Sequence, residues 1–277
     1  MKNYAEKESQ ALIIHYHIFK NAGTSVDFAL SKSFGDKWTT FEGKDACDVL
    51  TSAQVARFID ENPDLKAISS HLARPPLPTP ACRAIAFLRH PLLRMRSVYN
   101  FVRKDGSQHG HEMANRYSFA DYLRWAFDEG RDSGGVVIRN YQVVHLSQAS
   151  FRSGNILTAD AILADLEEAK GLIASWGTIG IVELYSQSCR VFELALKNSF
   201  PEFRFHIAWH NKTSGSDKTI DQDLDIMRDE LGSDLFDTSR LTNDLDLALY
   251  HWATDRIRLP SAHLSRRSGY MHHSSSG

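Results

Sequence analysis

Cysteine is scarce in these 277 residues: Cys47, Cys82 and Cys189 stand far apart, with no C-x-x-C pair and no companion histidine pattern. That excludes a disulfide scaffold and a cysteine-ligated zinc site, and predicts free thiols in a reducing compartment. Long apolar runs are missing too. Ala11–Ile14 and Ala84–Leu88 are typical, far short of the roughly 20 residues that a membrane span requires. The first eight residues carry no apolar core of a signal peptide, and the run from Ala11 to Phe19 is interrupted by His15 and His17, so the expectation is a cytoplasmic protein with no membrane span. Neither sign of charge dominates: 32 Lys+Arg against 34 Asp+Glu give a net charge of −2, which argues against a protein that coats nucleic acid.

A composition of 42% hydrophobic and 24% charged residues describes an ordinary globular chain. The distribution of charge says more than its sum. No acidic residue lies between Asp64 and Asp105, while Lys66, Arg74, Arg83, Arg89, Arg94, Arg96, Arg103 and Lys104 fall inside that window. A solvated basic face is the plainer explanation; an anion site is the sharper one.

Hydrophobic patterning predicts strands at Ala11–Phe19, Ala67–Ser70, Cys82–Leu88 and Thr178–Val182, with Phe203–Trp209 extended. Helices are expected over Ser25–Lys32, Ala53–Glu61, from Pro91 onward, and over Phe119–Glu129, Ile138–Leu146 and Asp160–Ser175. Three more follow at Tyr185–Ser199, Thr219–Leu231 and Thr242–Ile257. Strands alternating with helices predict an α/β, P-loop-like three-layer fold, with a central, mainly parallel sheet flanked by helices. One domain is expected over residues 1–259, followed by a polar, flexible tail over 260–277.

Two strand-to-helix junctions have the parts of an anion cradle. The first, Lys20-Asn21-Ala22-Gly23-Thr24-Ser25, offers glycine, helix-terminal N–H groups, hydroxyls and one cation. It is not a Walker A loop, because Lys20 precedes the glycine by three instead of preceding the Ser/Thr directly. In the second, Arg89 stands at a strand's carboxyl end and Ser97 about two turns into the next helix, so both can converge on one phosphate.

Taken together, the junctions resemble the PAPS-dependent sulfotransferases of the carbohydrate type (family 2, heparan/uronyl 2-O-like). Phe19–Ser25 is similar to that family's P-K-x-A-G-T-S loop, and Phe87–Pro91 with Ser97 and Tyr99 to its R-D-P…R-x-x-S-x-Y element. Ile68-Ser-Ser-His71-Leu resembles the segment with the catalytic histidine. Asn140-Tyr-Gln142, Gly180–Glu183 with Ser188, Asn211–Thr213 and Asp246–Tyr250 match weaker features. Three departures stand out: Phe19 replaces proline, Asn21 a hydroxyl residue, and His90 the aspartate after Arg89.

The resemblance implies transfer of a sulfuryl group from 3′-phosphoadenosine 5′-phosphosulfate (PAPS), a co-substrate, to a hydroxyl of a carbohydrate or other hydroxylated acceptor, with no metal required. Lys20 would stabilise the leaving 5′-phosphate, held by backbone N–H groups of Ala22–Ser25. Arg89 and Ser97 would hold the 3′-phosphate, and His71 would act as general base; an imidazole of ordinary pKa near 6.5 is mostly neutral at pH 7. His109 and His111 are weaker candidates for acceptor contact, and His15 and His17 read as structural. The rivals are a P-loop-type phosphotransferase (kinase), which needs a magnesium carboxylate and a Lys-Ser/Thr pair, and a non-catalytic phosphoadenosine or sulfated-glycan binder.

Overall fold

The computed structural model describes residues 11–45, 48–205 and 218–258. In chain order the strands are β1 (Leu12–Tyr16), β2 (Trp38–Thr40), β3 (Ala67–Ser70), β4 (Cys82–Ile85), β5 (Phe87–Leu88) and β6 (Gly180–Ile181). The helices are α1 (Gly23–Phe34), α2 (Ser52–Glu61), α3 (Pro91–Val102), α4 (His111–Arg116), α5 (Phe119–Phe127), α6 (Tyr141–His145), α7 (Ala149–Ser153), α8 (Leu163–Trp176), α9 (Tyr185–Leu196), α10 (Ile220–Leu231), α11 (Ser233–Leu241) and α12 (Asp244–Arg258).

The sheet runs β2-β3-β1-β4, every neighbour parallel, and β5 pairs in parallel with β6 beyond it. β1 is buried along its whole length, as a parallel strand covered on both faces must be. Its side chains alternate between two cores. Leu12, Ile14 and Tyr16 join Ile68, Leu166, Ile173 and Leu249 on the face covered by α8 and α12. Ile13 joins Val26, Leu30, Phe192 and Leu196 on the face covered by α1 and α9. A third apolar cluster, from α3, α5, α10 and α11, packs separately and includes Met95, Tyr99, Tyr122 and Phe236. The result is the three-layer α/β architecture that the alternation of strands and helices predicts.

Several boundaries differ from expectation. β1 stops at Tyr16, so His17–Lys20 belong to the loop. The strand expected at Cys82–Leu88 breaks at Ala86, whose carbonyl accepts the N–H of Gly180 at 2.9 Å, so its second half pairs with β6. Gly180 is required there, because a Cβ would stand 2.4 Å from the Phe87 ring. In place of one helix at Ile138–Leu146 the chain makes a 3₁₀ turn over Gly134–Ile138 and then α6, separated by Asn140 at φ 41°. The helix expected from Asp160 begins at Leu163, its free N–H at Ile162 taken by the Asp165 carboxylate at 2.7 Å. Residues 206–209 of the expected extended segment, Asn211–Thr213, Cys47 and the 260–277 tail lie outside the described residues.

From β1 the chain runs to β2 and β3 on one side, and β4 then pairs with the other side of β1. Such a reversal, at the carboxyl ends of the strands, is where parallel α/β sheets bind ligands. Both sequence-predicted junctions sit there.

Candidate active site

The loop after β1 holds backbone strain. Lys20 and Ala22 adopt φ 66° and 63°, a left-handed conformation that costs a side-chain-bearing residue on the order of 1–3 kcal/mol. Asn21, buried between them, fixes the turn: its Nδ2 donates at 2.7 Å to both the Phe87 carbonyl and Gln142 Oε1. Asn21 therefore faces the core and ties the first junction to the second.

Gln142 is the shared anchor. Its Oε1 also accepts the Arg89 N–H at 2.8 Å, and its Nε2 donates to the Arg89 carbonyl at 3.0 Å. The buried Asp246 of α12 accepts the N–H groups of Gln142 and Val143 at 3.1 and 2.8 Å, capping α6 from a distant part of the chain. Arg94, fully buried, donates to the Phe19 carbonyl at 3.0 Å and the Val137 carbonyl at 2.6 Å. The N-x-Q and α12 motifs thus act as clamps on the two junctions.

Lys20, Arg89 and Ser97 line one cavity of about 410 Å³, together with Arg96, Lys104, Lys218, Phe101 and Asp223. Among the described residues five cations face one carboxylate, although Arg96 also pairs with Glu230. Lys20 Nζ lies 4.1 Å above the Phe101 ring, a cation–π contact that desolvates the ammonium. Burial first, then the charges of Arg89, Lys104 and Arg94, push the Lys20 pKa below its ordinary value. Among the described residues Arg89 Nε, which is buried, has no partner. Its other end donates to the Lys20 carbonyl at 3.3 Å. Burial lowers the guanidinium's pKa, and Glu183 and Asp223 oppose that. Glu183, its pKa raised by burial, accepts the His90 N–H at 3.0 Å and acts on Arg89 through its charge alone.

Asn21, Ala22, Gly23, Thr24 and Ser25 do not wall this cavity. They form the adjoining turn and the first turn of α1; the N–H groups of Asn21 and Ser25 already donate to the Ile18 and Ala22 carbonyls at 3.1 and 3.0 Å, whereas among the described residues those of Gly23 and Thr24 meet no acceptor. Ser25's hydroxyl is engaged with Tyr185. Gly23 is required by packing, since a Cβ would stand 1.9 Å from the His17 ring.

His71 lines a second cavity, about 540 Å³, with Glu42, Phe19, Leu72, Phe101 and His109 among its walls. Phe101 borders both cavities. Glu42 grips His71 twice: its carboxylate accepts the backbone N–H at 3.0 Å and lies 2.9 Å from Nδ1. A proton on Nδ1 leaves Nε2 as the open acceptor. The His71 ring stacks on His17, and His17 in turn on His15. Asp27 shares its carboxylate between His15 Nδ1 at 2.8 Å and His17 Nδ1 at 3.1 Å. Burial raises the Asp27 pKa, but the two histidine hydrogen bonds outweigh it and hold the carboxyl well below its usual range. The donor atoms of His15, His17 and Asp27 approach within 4.8 Å of one another, a closeness that these hydrogen bonds explain.

Sequence reasoning missed Glu42, which lies in irregular chain with no pattern, and Phe101, which reads as one more apolar residue of α3. It also left open the separation of His109 and His111: His109 walls the second cavity, whereas His111 Nδ1 lies 2.8 Å from the Val102 carbonyl.

No protein-family model matches the chain. Over 258 residues it is 29% identical to an uncharacterized protein of Archaeoglobus fulgidus, a match that covers 90% of this chain and 98% of that one. Among the described residues no helix is long and apolar enough to cross a membrane.

Proposed function

We propose that this protein is a sulfotransferase that moves a sulfuryl group from PAPS to an acceptor hydroxyl. The observation that carries the reading is the adjacency of two unlike cavities, one cationic with Lys20, Arg89 and Ser97, the other holding the Glu42–His71 pair, with Phe101 between them. Sulfuryl transfer, like phosphoryl transfer, asks a protein chiefly to align an in-line displacement and to stabilise spread negative charge. The cationic cavity fits a donor with two phosphate groups, and Arg89 Nε is a buried donor that has no acceptor among the described residues.

In this reading Arg89 and Ser97 hold the 3′-phosphate, and Lys20 with the first turn of α1 holds the 5′-phosphate. As the sulfur–oxygen bond to the 5′-phosphate breaks, Lys20 faces the developing charge on that oxygen. His71 Nε2 takes the proton from the acceptor hydroxyl as its oxygen bonds to sulfur, and Glu42 stabilises the imidazolium that results.

Isothermal titration in the presence of EDTA tests the donor site. The reading expects 3′,5′-diphosphoadenosine to bind without magnesium and ATP to bind far more weakly. Magnesium-dependent ATP binding in preference to the diphosphate would overturn it in favour of a kinase.

A further inference from the structure

The acceptor cavity has a chemistry of its own. Phe19, Phe101 and Tyr141 give it three aromatic walls, and Leu72, Val137 and Leu157 aliphatic ones. Its volume of about 540 Å³ lies in the range that encloses a single small molecule, about 300–1,000 Å³. Most of the polar side chains on its walls already have partners inside the protein. Glu42 is taken by His71, Gln108 donates to Asp105 at 2.9 Å, and Ser133 donates to the Gly130 carbonyl at 3.1 Å. A sugar ring brings several hydroxyls that each need a partner once desolvated, and these walls offer few.

Charge points the same way. Among the described residues Lys44 is the one lysine or arginine on the walls, against the carboxylates of Glu42 and Asp45, whereas five cations line the neighbouring cavity. A uronate or sulfated chain would enter against two carboxylates with one cation to meet it, an arrangement that disfavours a polyanion.

Resting on the sulfuryl-transfer reading, we infer that the acceptor is a neutral, single-molecule alcohol or phenol with an apolar body of aromatic or alicyclic size, and not a polyanionic saccharide. The apolar body fills the space between the aromatic walls and Leu157, and the hydroxyl points to His71 Nε2. The chemical step is unchanged: the acceptor oxygen bonds to sulfur, its proton passes to His71, and 3′,5′-diphosphoadenosine leaves.

The test is transfer from ³⁵S-labelled PAPS across a panel of phenols, alicyclic alcohols, neutral oligosaccharides and desulfated heparin, with diphosphoadenosine affinity measured on the same preparations. Transfer to phenols or alicyclic alcohols is expected, and Leu157→Ser should raise their KM at least about tenfold while diphosphoadenosine affinity stays unchanged. Leu157 is only half-buried, so this variant should fold; Val137→Ala is the second probe and should act in the same direction. Preferred transfer to either class of saccharide, or diphosphoadenosine binding with transfer to no phenol or alicyclic alcohol, would overturn the inference and leave the donor site standing. Absence of diphosphoadenosine binding would overturn the reading on which it rests.

Discussion

The imidazole of His17 lies on that of His71, ring centroids 3.8 Å apart and planes 29° from parallel. Gly23 leaves room for the His17 ring, which a Cβ there would meet at 1.9 Å. A glycine in a phosphate-loop-like sequence is ordinarily read as making room for a ligand; here it makes room for a histidine that in turn supports the base.

Gly23→Ala should therefore act through His17. Overpacking costs about 1–3 kcal/mol, so the variant should melt at lower temperature and turn over more slowly. Because the two residues are in contact, the effects should not add. In the double variant Gly23→Ala/His17→Ala the stability should recover relative to Gly23→Ala, and denaturant titrations of the four proteins would measure it. Additive losses would show that Gly23 is needed for something other than His17.

Arg89→Ala should weaken diphosphoadenosine binding by roughly one to two decades, the worth of a charge-assisted hydrogen bond of about 1.5–3 kcal/mol. Ser97→Ala should do less. Calorimetric affinities decide this, and an unchanged affinity in Arg89→Ala would remove that residue from the donor site. Lys20→Ala should instead lower kcat strongly, since its charge is most useful as the leaving oxygen becomes anionic.

Gln142→Leu should loosen both junctions together. The change removes an acceptor shared by Asn21 and the Arg89 N–H and leaves buried donors unsatisfied, at about 1–3 kcal/mol each. Lower stability and lower donor affinity should appear in the same variant, as read by chemical denaturation and calorimetry. Full stability would mean that Asn21 and Arg89 hold their places without the clamp.

Acid should destabilise the protein through its buried histidines. Burial, with His251 nearby, lowers the His90 pKa to about 4 from an ordinary value near 6.5. The unfolded chain therefore binds the extra proton first. This contribution to stability is fully present above about pH 6.5 and is lost as pH falls toward 4, by about 1.4 kcal/mol per pH unit. His15, lowered to about 4 mainly by burial, acts in the same sense. Measured as wild type minus His90→Gln, the difference cancels the opposing carboxylates Glu183 and Asp246, whose pKa values burial raises. That difference should shrink steadily from pH 6.5 to 4; a flat one would mean His90 is protonated in the fold.

Much of the frame is legible in the sequence because it rests on local signals. The β-branched run at Leu12–Tyr16, the glycine turn and Pro91 at the head of α3 each mark a boundary without tertiary help. Other features depend on contacts across the chain. Asn21 reads as a phosphate donor but turns inward, because Phe87 and Gln142 offer it two acceptors. β2 is three residues long and forms only because β3 is beside it. Glu42 meets His71 29 positions away in sequence. The break between α10 and α11 at Gly232, φ 75°, does have a local signal, since glycine is the residue that tolerates that conformation.

The measurement that bears most directly on the account is single-turnover transfer of labelled sulfate from PAPS by the wild type and His71→Ala, alongside diphosphoadenosine affinity. Loss of a general base commonly costs about 10²–10⁴ in rate. The account predicts measurable transfer by the wild type, at least about a hundredfold slower transfer by His71→Ala, and nearly equal affinity in the two. Near-normal transfer by folded His71→Ala would contradict the role given to the Glu42–His71 pair, and a wild type that transfers no sulfate to any hydroxyl would contradict the function itself.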